Sequence, residues 1–155
     1  MTVSVERVQS YLERYNHALR VIELEDDTST SELAARALGV EVGQIAKSLV
    51  YKSKIGFLMI VAAGDVRLDA KLIRELAGSR VRMATPEETL EVTSHPVGGV
   101  CPFDLKTPIP IYLDESLKRF DVVYAAAGSS SSVLPITYEE LKEITGGIPC
   151  SVFMR

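Results

Sequence analysis

The chain has 155 residues, 46% hydrophobic and 25% charged, with two His, two Cys, no Trp and a formal net charge of −4. This length fits one domain of about 100–200 residues, here read as spanning 1–155, and the apolar content excludes a disordered chain. Cys101 and Cys150 form no CxxC pair and His17 and His95 stand apart, so no metal set is expected, and so few cysteines point to a reducing cytosol. The acidic balance argues against a strongly cationic nucleic-acid binder. Phe57–Ala63, the longest apolar stretch, falls far short of the ~20 residues that cross a membrane.

Val5, Val8, Leu12 and Tyr15 recur at helical spacing, so the chain opens on an amphipathic helix that Ser4 can cap. Leu19–Leu24 reads as a strand and Asp26–Ser29 as a turn. Thr30 or Ser31 caps a second helix, Glu32–Leu38, which Gly39 ends. Ile45–Tyr51 and Phe57–Ala63 are apolar runs parted by Lys52, Ser53, Lys54 and Gly56, a hairpin signature. Asp69 opens a third helix closed by Gly78, and Arg80–Met83 is a short strand. Thr85-Pro86-Glu87-Glu88 starts a fourth helix, with a capping Thr, Pro in the first turn and acids at its positive end. Thr93–Pro108 is loop-rich. Ile109–Leu113, Asp121–Ala126 and Ser132–Ile136 read as strands. Thr137 and Glu140 form the capping box of a last helix, stopped by Gly146-Gly147, and Ile148–Met154 is a closing strand. This order predicts a mixed α/β fold and disfavours a purely parallel sheet.

The charge is unevenly divided. Ile45–Met83 holds eight basic and three acidic residues, a net +5, and the remainder holds nine basic and eighteen acidic, a net −9. A basic segment on an acidic chain suits a polyanion, with Lys71 and Arg74 as contacts; it equally suits a solvated hairpin and helix face. Lys47 interrupts an apolar strand on the face shared with Leu49 and Tyr51. An ammonium held there needs a partner and would suit a phosphate, a carboxylate or a developing oxyanion; the alternative is a lysine snorkelling from an edge strand. His95-Pro96-Val97-Gly98-Gly99-Val100-Cys101-Pro102-Phe103 combines glycines that admit a ligand with stiffening prolines. Such a loop can present free N–H groups to an oxyanion, or be a tight surface turn. Cys101 with His95 as base would make a thiol nucleophile; a buried thiol is the commoner outcome. Gly128-Ser129 and the serines after it would line a polar pocket or form a flexible turn. No G-x-S-x-G elbow supports a serine nucleophile.

These pieces coincide in one order: Glu-Leu-Ala-Ala-Arg-Ala-Leu-Gly, Ile-Ala-Lys-Ser-Leu-Val, Ala-Ala-Gly-Asp, Gly-Gly-Val-Cys-Pro-Phe, Tyr-Leu-Asp and Ala-Ala-Gly-Ser. From Leu19 to Gly146 the chain resembles the YbaK/EbsC family, free-standing relatives of the editing domain of bacterial prolyl-tRNA synthetases. The resemblance implies an α/β fold around a mixed, mainly antiparallel, barrel-like sheet surrounded by helices. It implies metal-independent hydrolysis of the ester of a mischarged aminoacyl-tRNA, most often tRNA(Pro), without a cofactor. The family's lysine matches Lys47 and its GxxxP loop matches Gly98–Pro102. In that picture Lys47, Gly98 and Gly99 do the chemistry, while Cys101, Pro102, Phe103, Gly128 and Ser129 shape the pocket. The implied partner is the acceptor end of an aminoacyl-tRNA, with a synthetase as a further candidate. Two other readings stand beside it: a non-catalytic module that binds aminoacyl-tRNA or a synthetase, and a Cys101-dependent hydrolase.

Overall fold

The computed structural model describes residues 2–155. Helix α1 (Val3–Glu13) leads to a two-residue strand β1 (Ile22–Glu23) and helix α2 (Ser31–Leu38). The hairpin β2 (Ile45–Ser53) and β3 (Gly56–Ala63) follows, then α3 (Ala70–Ala77), β4 (Val81–Met83) and α4 (Pro86–Thr93). After a long loop come β5 (Ile111–Asp114), β6 (Val123–Ala126), β7 (Ser132–Ile136), α5 (Tyr138–Thr145) and β8 (Ile148–Cys150).

The strands form one sheet in the order β1-β7-β6-β2-β3-β5-β8, with β4 also on β2. The β1–β7, β2–β3, β2–β4 and β6–β7 pairs are antiparallel, and β2–β6, β3–β5 and β5–β8 are parallel. This is the mixed sheet expected from the alternation of hairpins and helices.

The faces of β2 divide as its alternation requires. Ala46 and Val50 enter the main core with Met59, Val61, Phe103, Leu113 and Leu134. Leu49 and Tyr51 pack on the opposite side with Ile73 of α3, and Ile45 packs with Ala34 and Ala35 of α2. Lys47 therefore stands between the patches covered by α2 and α3.

Thr85 caps α4 and the capping box of α5 forms as read; Glu88 completes a second box at α4. Thr30 caps α2 and Asp69 caps α3. Other boundaries differ for identifiable reasons. Thr2, not Ser4, caps α1, its Oγ1 accepting from Val5 N–H at 3.2 Å. Tyr15 lies beyond α1 and is exposed. The strand expected over Leu19–Leu24 shrinks to two residues because Gln9 takes its first backbone groups, donating to Leu19 O at 3.1 Å and accepting from Val21 N–H at 2.8 Å. The closing strand stops at Cys150, since Val152 N–H turns to the buried Asp114 carboxylate at 2.7 Å.

Asp114 also accepts from Ser116 N–H at 3.0 Å and is fully buried. Asp114→Ala strands both donors, one of them deep beside β8. Each unmet buried donor costs about 1–3 kcal/mol, so urea denaturation should show a loss of about 2–4 kcal/mol. A loss well under 1 kcal/mol would contradict this role.

Candidate functional site

The site begins with a gap in the sheet. Lys54 and Ile55 form a two-residue loop, with Ser53 paired to Gly56. Such a loop makes its flanking residues a hydrogen-bonded pair, so Tyr51, Leu49 and Lys47 turn their backbone groups toward β3. Lys52, Val50, Ser48 and Ala46 turn theirs to the other edge. On that edge β6 reaches only Ile45 and Ala46, and β4 reaches only Tyr51–Ser53. Ala84 N–H extends the β4 side by one bond to Val50 O, 2.9 Å. The edge at Ser48 is left uncovered.

A cavity of about 370 Å³ opens over this gap. Its floor is the β2 segment Ile45–Val50, its walls are the Thr28–Ser31 turn, Val97, Gly98 and Val100, and its rim includes Met83, Ala84, Pro86 and Thr89. Three loops lock together to form the walls. Thr28 N–H donates to Ser130 O at 2.6 Å, and Gly128 N–H donates to Gly99 O at 3.0 Å. Gly98 has φ +91°. A Cβ there would stand 3.0 Å from Ser29 Cβ and 3.2 Å from Ser130 Cβ; one at Gly99 would come within 2.4 Å of Ser129 N. Glycine at both positions lets the three loops touch.

The structure brings Lys47 and Gly98 to this one cavity. Lys47 Nζ donates to Val66 O at 2.6 Å. An ammonium has three donors, so two remain. Burial pushes its pKa below the ordinary lysine value, against Asp65 and Glu32, which favour the charged form. Asp65 is itself paired in two bonds with Arg119.

Other sequence candidates lie elsewhere. Gly99 N–H is used within the loop, donating to Pro96 O at 2.9 Å. Neither Gly98 N–H nor Val100 N–H has an acceptor among the described residues. Cys101, Pro102 and Phe103 are buried behind the wall, and Gly128 and Ser129 hold it from behind; none of the five lines the cavity. Lys71 and Arg74 are exposed on α3, away from the lining.

The thiol reading meets two physical obstacles. Cys101 is fully buried, and desolvation pushes its pKa up to about 12. His95 is committed on both ring nitrogens, with Nε2 2.7 Å from Phe103 O and Nδ1 3.2 Å from Ser4 Oγ. The carbonyl requires an Nε2–H donor, and the Ser4 hydroxyl complements Nδ1 as donor or acceptor. Burial lowers its pKa, which favours the neutral ring. His95 thus ties the loop to α1, aided by Arg7, which donates to Asp104 Oδ2 at 3.0 Å.

Sequence reasoning missed Ser48, the Thr28–Ser31 wall and the Met83–Pro86 rim. Ser48 carried a signal: a hydroxyl beside Lys47 in an otherwise apolar strand. The wall and rim carried none, because only the fold gathers them.

Together these features define an α/β domain with a half-enclosed lysine facing a glycine loop across a sheet gap. An aminoacyl-tRNA editing domain model matches residues 25–144, and the chain belongs to that family. It is 41% identical over 144 residues to the uncharacterized protein YwhH of Bacillus subtilis (strain 168), covering 92% of each chain. It is 34% identical over 133 residues to a proline–tRNA ligase of Thermotoga maritima, covering 79% of this chain and 23% of the ligase. It is 28% identical over 124 residues to EbsC of Enterococcus faecalis, named as a candidate Cys-tRNA(Pro)/Cys-tRNA(Cys) deacylase, covering 79% of this chain and 76% of EbsC. A crystal structure described as a candidate trans-editing enzyme for prolyl-tRNA synthetase superposes with TM-score 0.94 at 40% identity, covering 100% of this chain and 99% of the other.

Two outcomes follow from this geometry. Thiol reagents at neutral pH should leave Cys101 unmodified in the folded protein, as read by peptide mass mapping; rapid labelling would contradict its burial. Gly99→Ala forces apart the loops at Ser129, and overpacking of this kind costs about 1–3 kcal/mol, measurable by urea denaturation. An unchanged midpoint would show that the loops need not touch.

Proposed function

We propose that this protein hydrolyses, in trans, the ester bond of a mischarged aminoacyl-tRNA, with tRNA(Pro) as the RNA. The observation that carries the reading is that Lys47 and Gly98 line one cavity. Family membership and the names of EbsC and of the superposed structure point the same way.

In this reading the acceptor end enters over the Met83–Pro86 rim. Lys47, aimed by Val66 O, holds the terminal phosphate or ribose with its two remaining protons. Water, oriented by the terminal ribose hydroxyl, attacks the acyl carbonyl and gives up a proton. Gly98 N–H stabilises the oxyanion, an effect of roughly 10²–10³ in rate per donor. The acyl C–O bond breaks, the tRNA oxygen leaves with a proton, and the amino acid departs. The steps use no metal or cofactor. Gly99, Cys101, Pro102, Phe103, Gly128 and Ser129 act indirectly, by holding the wall that Gly98 occupies.

Selection of the amino acid falls to the cavity's apolar lining. An editing site is needed because one methylene is worth only about 1–3 kcal/mol in binding. Lys71 and Arg74 carry phosphate contacts farther along the RNA, which makes binding weaken with salt. A synthetase that releases mischarged tRNA is a natural partner, and the cytoplasm is the compartment. No helix among the described residues is long and apolar enough to cross a membrane.

A deacylation screen over mischarged tRNAs tests the reading. Lys47→Ala should lose about 10²-fold or more of the rate on the responsive substrate while keeping its circular dichroism spectrum. Absence of any Lys47-dependent hydrolysis across the panel would overturn the assignment. If tRNA still bound, the non-catalytic module would replace it.

The pH dependence has a definite sign. The ammonium is the working form and burial lowers its pKa from the ordinary 10.5. The rate ratio of wild type to Lys47→Ala should therefore hold at neutral pH and fall as pH rises through a value below 10.5. Taking the ratio removes spontaneous ester hydrolysis. A ratio that rises with pH would mean that the neutral amine acts instead.

A further inference from the structure

Ser48 presents three unused hydrogen-bonding groups at the sheet gap. Its Oγ is buried and has no partner among the described residues. Its N–H and C=O turn to the edge that neither β6 nor β4 covers. Among the described residues no loop backbone group bonds to them. Buried polar groups are nearly always paired, so the buried Ser48 Oγ, next to a backbone N–H and C=O that face the cavity edge, calls for a ligand that supplies partners.

The backbone geometry narrows that ligand. On an antiparallel edge, one residue exchanges two bonds with the residue opposite, N–H to O=C in each direction. A single amino acid carries both complementary groups: an amine that donates and an acyl oxygen that accepts. The uncovered edge is about one residue long, flanked by the Ala46–Ala125 pair and the Ala84–Val50 bond. Peptides are bound in the same manner along exposed sheet edges.

Resting on the deacylase reading above, we infer that the aminoacyl group docks as a one-residue strand opposite Ser48. Ser48 C=O and Oγ accept from the α-ammonium, and Ser48 N–H donates to the acyl oxygen, beside Gly98 N–H. Lys47, the preceding residue, reaches the other face of β2 to meet the nucleotide. The site thereby requires a free α-amine, whatever side chain occupies the remaining space. Ser48 is a binding and positioning residue, and no covalent step passes through it.

The test uses two hydrolysis-resistant probes, 3′-amides of adenosine bearing an aminoacyl group or the same acyl group without its amine. Binding to the full chain is read by calorimetry. Wild type should bind the aminoacyl probe at least tenfold more tightly than the des-amino probe. Ser48→Ala should weaken the aminoacyl probe about tenfold and leave the des-amino probe nearly unchanged, a coupling that assigns the amine to Ser48. Thermal unfolding of Ser48→Ala without ligand should match wild type or exceed it, because an unpartnered buried hydroxyl is being removed; a purely structural Ser48 would lower it. Equal affinity of wild type for the two probes, or equal binding of the aminoacyl probe by both proteins, overturns the inference. If Lys47-dependent deacylation stands in either case, the proposed function survives and only the docking mode falls. If neither probe binds and no tRNA is hydrolysed, both fall.

Discussion

Strand β2 serves two partners along one edge and satisfies neither fully. β6 arrives parallel at its start and β4 antiparallel at its end. The opposite edge is paired along nearly its whole length with β3. A strand with one complete ladder is held rigidly, so an interruption on its other side persists as a shaped opening rather than closing by slippage. Ser48, Lys47 and the cavity all depend on that interruption. The loops around it are the fixed frame: Gly99 lets the 96–100 loop touch Ser129, and His95 ties the same segment to α1.

Lys47 illustrates how the surroundings set the strength of a charge. Its flanks on the same face, Ile45 and Leu49, are packed under α2 and α3. Desolvation there lowers the pKa, while Asp65 and Glu32 support the ammonium. Asp65 is already neutralised by Arg119, so it balances Lys47 without fully satisfying it. A positive charge with one fixed acceptor and two spare donors, on the floor of a half-open cavity, is poised for a phosphate or polarised oxygen.

Much of this was legible in the sequence because it rests on local chemistry. Thr85-Pro86-Glu87-Glu88 announced a helix start and Thr137 with Glu140 a capping box, and the alternation around Lys47 announced which residues share its face. The order of small motifs was enough to suggest the family, although no single one carries it. The differences arose where distant side chains compete for backbone groups. Gln9 takes the start of the expected first strand and Asp114 takes the end of the last. The GxxxP loop was recognisable, but its division of labour was not. Adjacent glycines look alike in sequence, yet Gly99 N–H closes a turn on Pro96 while Gly98 N–H has no acceptor among the described residues. Cys101 and Phe103 looked like pocket walls because they follow those glycines; burial behind the loop comes from α1 and the main core.

The central claim is that the gap beside Ser48 receives the aminoacyl end of the RNA. Chemical-shift mapping of the ¹⁵N-labelled protein with a hydrolysis-resistant aminoacyl-adenosine amide tests it most directly. The amides of Ser48, Gly98 and Val100 and the Lys47 side chain should move together as the ligand is added, with Cys101 and Phe103 following only weakly. Shifts confined to the exposed face of α3, or to Arg7 on α1 and Arg14 just after it, with the β2 edge unmoved, would contradict it.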